Sequence, residues 1–213
     1  MDYFNLGLEH SRTRKKINYF TKALKLDPGL ADAHEKRGLL YYYQGEYDKV
    51  IQDYRDYIRF VPDDTEAYRM LGIGYLKSGR YEQAIHTFTR AIEMEPEMAS
   101  AYASRAEAYR LMGKDGEAIR DATKAAQLAN DPITKADAYK TRGKVYRKLG
   151  YVKLAMADSR AAMGIDPRIP RFWGRRYAFK YASPEELSRA GLLALIVIAF
   201  ILIFKLRLKP PEK

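Results

Sequence analysis

The chain contains no cysteine in 213 residues, which excludes disulfides and thiolate-bound metals but identifies no compartment. Histidine is nearly as scarce. His10, His34 and His86 stand far apart, without HExxH or a comparable ligand spacing, so they read as structural or surface groups and no metal site is expected. Phosphate- and dinucleotide-binding loops are also missing. The stretch GIGYLKSG, from Gly72 to Gly79, fits neither spacing, and the neighbouring carboxylates Asp63 and Asp64 follow Pro62, where acidic residues favour the start of a helix. No catalytic residue and no cofactor are assigned, and a non-enzymatic protein is expected. The opening MDYFNLGLEH carries no hydrophobic signal sequence.

Charge is abundant. The formal net charge is +11, but it is unevenly placed. Residues 168–213 hold ten Lys/Arg and three Asp/Glu, whereas residues 31–135 hold 15 Lys/Arg against 18 Asp/Glu. Basicity therefore collects at the C-terminal end, which argues against a nucleic-acid surface along the body of the chain.

An internal repeat organises that body. Gly45, Gly79, Gly113 and Gly150 recur at intervals of 34, 34 and 37 residues. Seven positions before them sit the small residues Gly38, Gly72, Ala106 and Gly143, and four positions before them Tyr41, Tyr75, Tyr109 and Tyr146. Val50, Ala84, Ala118 and Ala155 follow each loop, and Pro62, Pro96, Pro132 and Pro167 read as stops. Each unit is thus two amphipathic helices that cross at small residues.

The segment TEAYRMLGIGYLKSGRYEQAIHTFTRAIEMEPEM, residues 65–98, resembles the tetratricopeptide repeat in its order of aromatic, Leu-Gly, Tyr, Ala, Phe, Ala and Pro. The expected fold is all-α: a solenoid of about five helix-turn-helix repeats, the first shortened, followed by a single transmembrane helix. Residues 1–30 form the shortened repeat. Full repeats are placed at 31–64, 65–98, 99–135 (with a short insertion near NDPIT) and 136–169.

The resemblance implies a concave surface formed by the first helix of each repeat, the usual binding site of this family. Its positions here are Leu39, Tyr42 and Tyr43, then Arg69, Ile73, Leu76 and Lys77, then Glu107 and Arg110, and last Lys140, Lys144, Arg147 and Lys148. Such a groove changes from aromatic and aliphatic to basic and suits a protein segment, peptide or helix, with apolar anchors and acidic groups. Four cations on one helix face repel one another unless an anion neutralises them, which points to an acidic partner or a lipid surface. The Lys, Asn and Arg clamp used elsewhere in the family for chaperone C-termini is missing. Its positions hold residues such as Glu35, Leu39, Ile73, Ser100 and Ser104.

Polar side chains are absent from LLALIVIAFILIF, Leu192 to Phe204. A capping helix would keep a polar outer face. Ala190 to Leu208 makes a helix of about 28 Å at about 1.5 Å per residue, close to the bilayer core. Lys205 and Arg207 can snorkel at its end. A helix is expected over 184–208, its start marked by Ser183, Pro184 and Glu186, with a short basic tail at 209–213. Upstream, a linker at 170–183 interleaves Trp173, Tyr177 and other rings with Arg175, Arg176 and Lys180, a composition suited to a headgroup interface.

The expected protein is a single-pass, tail-anchored membrane adaptor whose repeats face the cytosol and hold a partner there. A regulatory or assembly subunit of a membrane complex is the near alternative. An RNA-binding helical repeat is the distant one.

Overall fold

The computed structural model describes residues 2–165, and among them are ten α-helices and no strand. The helices are α1 Tyr3–Glu9, α2 Thr13–Leu26, α3 Ala31–Gln44, α4 Tyr47–Phe60, α5 Thr65–Lys77, α6 Tyr81–Met94, α7 Ala99–Leu111, α8 Asp115–Leu128, α9 Pro132–Lys148 and α10 Val152–Ile165. Each packs on its neighbour in sequence. First helices also meet directly, α5 on α7 and α7 on α9, and α3 and α5 line a common cavity, so α3, α5, α7 and α9 form one layer. Among the described residues no helix is long and apolar enough to cross a membrane. The expected helix at 184–208 lies outside the described residues, as do the linker and tail.

The turns explain the spacing of the glycines. Gly45, Gly79, Gly113 and Gly150 all have φ between +75° and +81°, a backbone state that a side chain disfavours by about 1 kcal/mol or more. In each turn the residue after the glycine donates its backbone N–H to the tyrosine carbonyl five positions back, as in Arg80 to Tyr75 at 2.9 Å and Lys114 to Tyr109 at 2.9 Å. That bond closes the first helix and sends the chain into the second.

Helix crossings explain the small residues. A Cβ on Gly72 would lie 2.5 Å from the ring of Phe88, and one on Gly38 would lie 3.0 Å from the ring of Tyr54. The shortened first unit keeps this contact, because a Cβ on Gly7 would lie 2.6 Å from the Phe20 ring. Gly7 and Phe20 are 13 residues apart where Gly72 and Phe88 are 16 apart, so the missing residues come out of the connection and not the crossing. The packing around the crossings changes along the array. Tyr54, Tyr57, Met70, Leu71, Tyr75 and Phe88 build an aromatic core about α4 to α6, while Ala125, Ala126 and Ala138 draw α8 and α9 together with small side chains.

Several helix ends show the reason for their position. Val61 and Glu95 close α4 and α6 just before Pro62 and Pro96, and Asp64 caps α5 by accepting from the Ala67 N–H at 3.1 Å. Pro132 does not act as a stop. The second helix of its unit already ends at Leu128, and Pro132 opens α9 behind the N-cap Asp131, whose carboxylate accepts from the Thr134 N–H at 2.8 Å. Proline suits this place because the first turn needs no N–H from it. Residues 132–135, assigned from sequence to the preceding repeat, thus lengthen α9 at its start.

A buried ionic bridge recurs with the repeat. Arg37 forks onto Asp53 through Nε to Oδ2 at 2.9 Å and Nη2 to Oδ1 at 2.6 Å, and its Nη1 donates to Thr21 Oγ1 at 3.1 Å. Arg105 repeats this with Asp121 (2.7 and 3.1 Å) and Thr89 (2.9 Å). Arg142 repeats it with Asp158 (2.9 and 2.7 Å) and Thr123 (2.9 Å). Each arginine therefore joins three helices: its own first helix, the second helix of its repeat, and the second helix of the repeat before. Tyrosine rings flank the guanidinium, as with Tyr139 and Tyr146 at 5.4 and 5.9 Å from Arg142. The junction between α4 and α5 lacks the bridge, for Leu71 and Thr87 occupy the Arg and Asp positions there.

His34 extends the first bridge. It is buried, with Nδ1 3.3 Å from Asp53 Oδ1 and Nε2 3.1 Å from the carbonyl of Pro28. Both partners accept, so both ring nitrogens are matched when both carry protons. The bond to Asp53 raises the His34 pKa, burial opposes it, and the Pro28 carbonyl raises it further.

Gly72→Leu should destabilise the protein by about 1–3 kcal/mol through overpacking against Phe88, while His86→Ala, on an exposed position, should change thermal unfolding little. Equal effects of the two would contradict the crossing. Breaking a bridge by Asp121→Asn or Arg105→Leu alone should cost about 3 kcal/mol or more, because it strands a buried charge. Arg105→Leu combined with Asp121→Thr, the pair found naturally at the bridge-free junction, should recover much of that loss in denaturant unfolding. For His34 the sign follows from its raised pKa. Its stabilising contribution is present in full below the unfolded value of about 6.5 and is lost as pH rises through the higher folded value. The melting-temperature gap between wild type and His34→Gln should therefore be wider at about pH 5.5 than at about pH 8.5, and a gap independent of pH would show that the imidazole is not charged in the fold.

Candidate functional site

The first-helix layer carries a cavity of about 280 Å³ between α3 and α5. Leu39, Tyr42 and Tyr43 line it from α3, Arg69, Met70 and Ile73 from α5, and Tyr54 from α4. The sequence assigns Leu39, Tyr42, Tyr43, Arg69 and Ile73 to the groove, and the fold brings these five together. The turn geometry that starts α5 right after Asp64 sets the register between the two helices. Tyr43 is 73% exposed, so the cavity has an aromatic lip open to solvent, and its ring lies 5.5 Å from Tyr42 in an edge-on arrangement.

Carboxylates surround the same cavity. Glu35, Asp64 and Glu66 line it. Arg69 donates Nε to Glu66 Oε2 at 2.7 Å and its Nη2 to Glu66 Oε1. Asp64 accepts the Tyr57 hydroxyl at 2.8 Å on the oxygen not used for capping. Tyr54 is only 3% exposed, and burial followed by the fields of Glu35 and Glu66 pushes its phenol above the ordinary value. First-helix positions alone could not reveal Tyr54 and Asp64, because one comes from a second helix and the other from a loop. The available signal was the run DDTE at 63–66, which places two carboxylates at the start of α5.

Farther along, Glu107 gathers three of the predicted positions or their neighbours. Arg110 donates to it at 2.7 and 2.8 Å, Thr141 at 3.2 Å, and the Lys144 Nζ lies 3.6 Å away. Burial opposes ionisation of Glu107, but the Arg110 hydrogen bonds and the Lys144 charge hold its carboxyl below the usual value. Lys140 pairs with Asp137 at 2.7 Å and Lys148 with Asp115 at 2.8 Å. The basic stripe of α9 is therefore not an array of uncompensated cations. Acids one turn earlier and in the preceding repeat supply counter-charges that the sequence pattern alone places outside the chain. Lys77 is exposed at the end of α5, and Leu76 packs at the edge of the aromatic core.

Trp173, Arg175, Arg176, Tyr177, Lys180, Lys205 and Arg207, expected at a membrane interface, lie outside the described residues. Among the described residues no group of three or more His, Cys, Asp or Glu side chains is placed to hold a metal ion.

This layered succession of glycine-turned helix pairs, with small residues at each crossing, is a tandem helical-repeat architecture. The chain belongs to the tetratricopeptide repeat family, whose models match residues 8–65, 69–132 and 136–169. No curated protein sequence matches it significantly. Among solved structures it is similar to MamA, with a TM-score of 0.68 and 23% identity over 79% of this chain and 96% of that one. It is also similar to YrrB, described as a tetratricopeptide-repeat protein with an unusual peptide-binding site, with a TM-score of 0.65 and 21% identity over 84% of this chain and 91% of that one. TTC0263, a thermophilic repeat protein of Thermus thermophilus, gives a TM-score of 0.61 and 19% identity over 78% of this chain and 91% of that one.

Proposed function

We propose that the chain is a membrane-anchored adaptor that holds a segment of a partner protein in the groove of its first helices. The observation that carries this reading is the cavity between α3 and α5, where five groove positions from two successive repeats meet around exposed aromatic surface. Aromatic anchoring pockets of this kind concentrate binding energy. Family membership favours a protein partner, and YrrB, a protein of like fold, is described as having a peptide-binding site. The other end of the groove offers ion pairs about Glu107, Asp137 and Asp115, so acidic groups on the partner would exchange with these carboxylates for Lys144, Lys140 and Lys148. Anchoring rests on the apolar run Ala190–Leu208 and the ring-and-cation linker before it. The expected placement of the repeats at the cytosolic face belongs to the same proposal. No chemistry on the partner is assigned to the chain.

One experiment separates the two halves of this reading. Crosslinking in intact membranes, followed by carbonate washing, should retain the wild-type chain with a bound partner. Tyr42→Ala should stay with the membrane but lose most of the partner, and truncation after Ala182 should leave the membrane fraction altogether. Removal of the full-length chain by salt alone would reject the anchor, since burial of an apolar helix is not screened, and undiminished crosslinking of Tyr42→Ala would reject the groove.

A further inference from the structure

We propose that the cavity between α3 and α5 receives a cationic side chain, lysine or arginine, from the bound segment; this rests on the groove reading above and names what the groove selects. Three features of the cavity converge on it.

The first is charge. Glu35, Asp64 and Glu66 line the cavity against a single cation, Arg69, and that guanidinium is already engaged in a fork with Glu66. Glu35 has a counter-ion in Lys36 at 2.8 Å, but both side chains are substantially exposed, 33% and 42%, and such surface pairs contribute little and exchange readily. Asp64 accepts from Tyr57 and Ala67, and a carboxylate has acceptor capacity beyond two bonds. An acidic anchor would therefore meet a surplus of like charge.

The second is an unused hydroxyl. Tyr54 is almost wholly buried, yet no group among the described residues hydrogen-bonds its oxygen. No sealed side-chain oxygen among the described residues lacks a partner, so this hydroxyl is not fully sealed, and the cavity lies against Tyr54. An apolar anchor pressed into the cavity would strip water from the hydroxyl and replace it with nothing, a costly arrangement. An ammonium or guanidinium supplies the missing partner, since each brings several N–H donors.

The third is the wall. Leu39, Met70 and Ile73 offer apolar surface for a methylene stem, and the rings of Tyr42 and Tyr43 stand at the mouth. Lysine and arginine bury such a stem while the charge seeks carboxylates and ring faces. The volume suits one side chain and falls below the usual range for larger ligands.

The test uses the full chain in neutral detergent with its methionine methyl groups labelled with carbon-13, reading the Met70 methyl resonance. The probes are pentapeptides, acetyl-Gly-Gly-X-Gly-Gly-amide, with X as arginine, lysine, norleucine or glutamate. Arginine or lysine should shift the Met70 signal saturably, norleucine should bind at least about tenfold more weakly, and glutamate should leave the signal unmoved. Tyr54→Phe, which keeps the ring packed, should weaken the cationic peptide about three- to tenfold, as expected for one hydrogen bond, and Glu35→Gln should weaken it as well. Norleucine binding as tightly as arginine, or an unchanged affinity in Tyr54→Phe, would overturn the proposal. In that event saturable binding of norleucine or glutamate peptides would leave the groove reading standing. Absence of a Met70 shift with every peptide would overturn the cation proposal, and the crosslinking of wild type against Tyr42→Ala would then decide the groove by itself.

Discussion

The array depends on a bond with direction. Apolar contacts between helices are strong in sum but non-directional. The arginine bridge is directional. Its guanidinium must meet a carboxylate in the plane of the fork and a threonine hydroxyl on a third helix, and an error of register would leave a buried charge without partners. Each bridge thus ties a repeat to itself and to its predecessor at once, and tyrosine rings lie near each guanidinium. Its service is to specify the arrangement, whereas the burial of rings and alanines supplies most of the driving force.

That use of charge alters the meaning of the composition. A chain with many lysines and arginines invites a search for anionic ligands, but the described repeats spend much of their charge on themselves. Arg37, Arg105 and Arg142 are half-buried against buried aspartates, and Lys140, Lys144 and Lys148 find acids at hand. Local imbalance is more informative than the total. It occurs with negative sign at the cavity between α3 and α5, in a protein whose net charge is strongly positive.

Much of the fold was legible in residue spacing because its causes are local. A turn requiring positive φ selects glycine wherever it occurs, and a crossing that brings a Phe88 ring against backbone selects Gly72. In the first unit neither cause was read from the sequence: Gly7 as its crossing point became evident only from the packing against Phe20. Pro132 misled because proline fits both just beyond a helix and at the first position of the next, and the insertion before α9 moved it from one role to the other. The bridges were visible in principle. Arg and Asp stand eight residues before and after Gly45, Gly113 and Gly150, but charges counted as a sum conceal pairs held at fixed spacing. The cavity was half legible: its first-helix residues follow the repeat, whereas Tyr54 and Asp64 enter from a second helix and a loop, whose side chains reach it only once the pairs are stacked.

The bridge-free junction has a mechanical consequence. Stiffness in a stack of repeats is set joint by joint, since each unit touches mainly its neighbours. Three joints among the described residues carry an arginine bridge, and the fourth, between α4 and α5, is held instead by the packed rings and aliphatic chains around Leu71 and by the hydrogen bond from Tyr57 to Asp64. The cavity between α3 and α5 spans that fourth joint. The residues that line the cavity therefore come from the two sides of the one joint that no arginine bridge crosses.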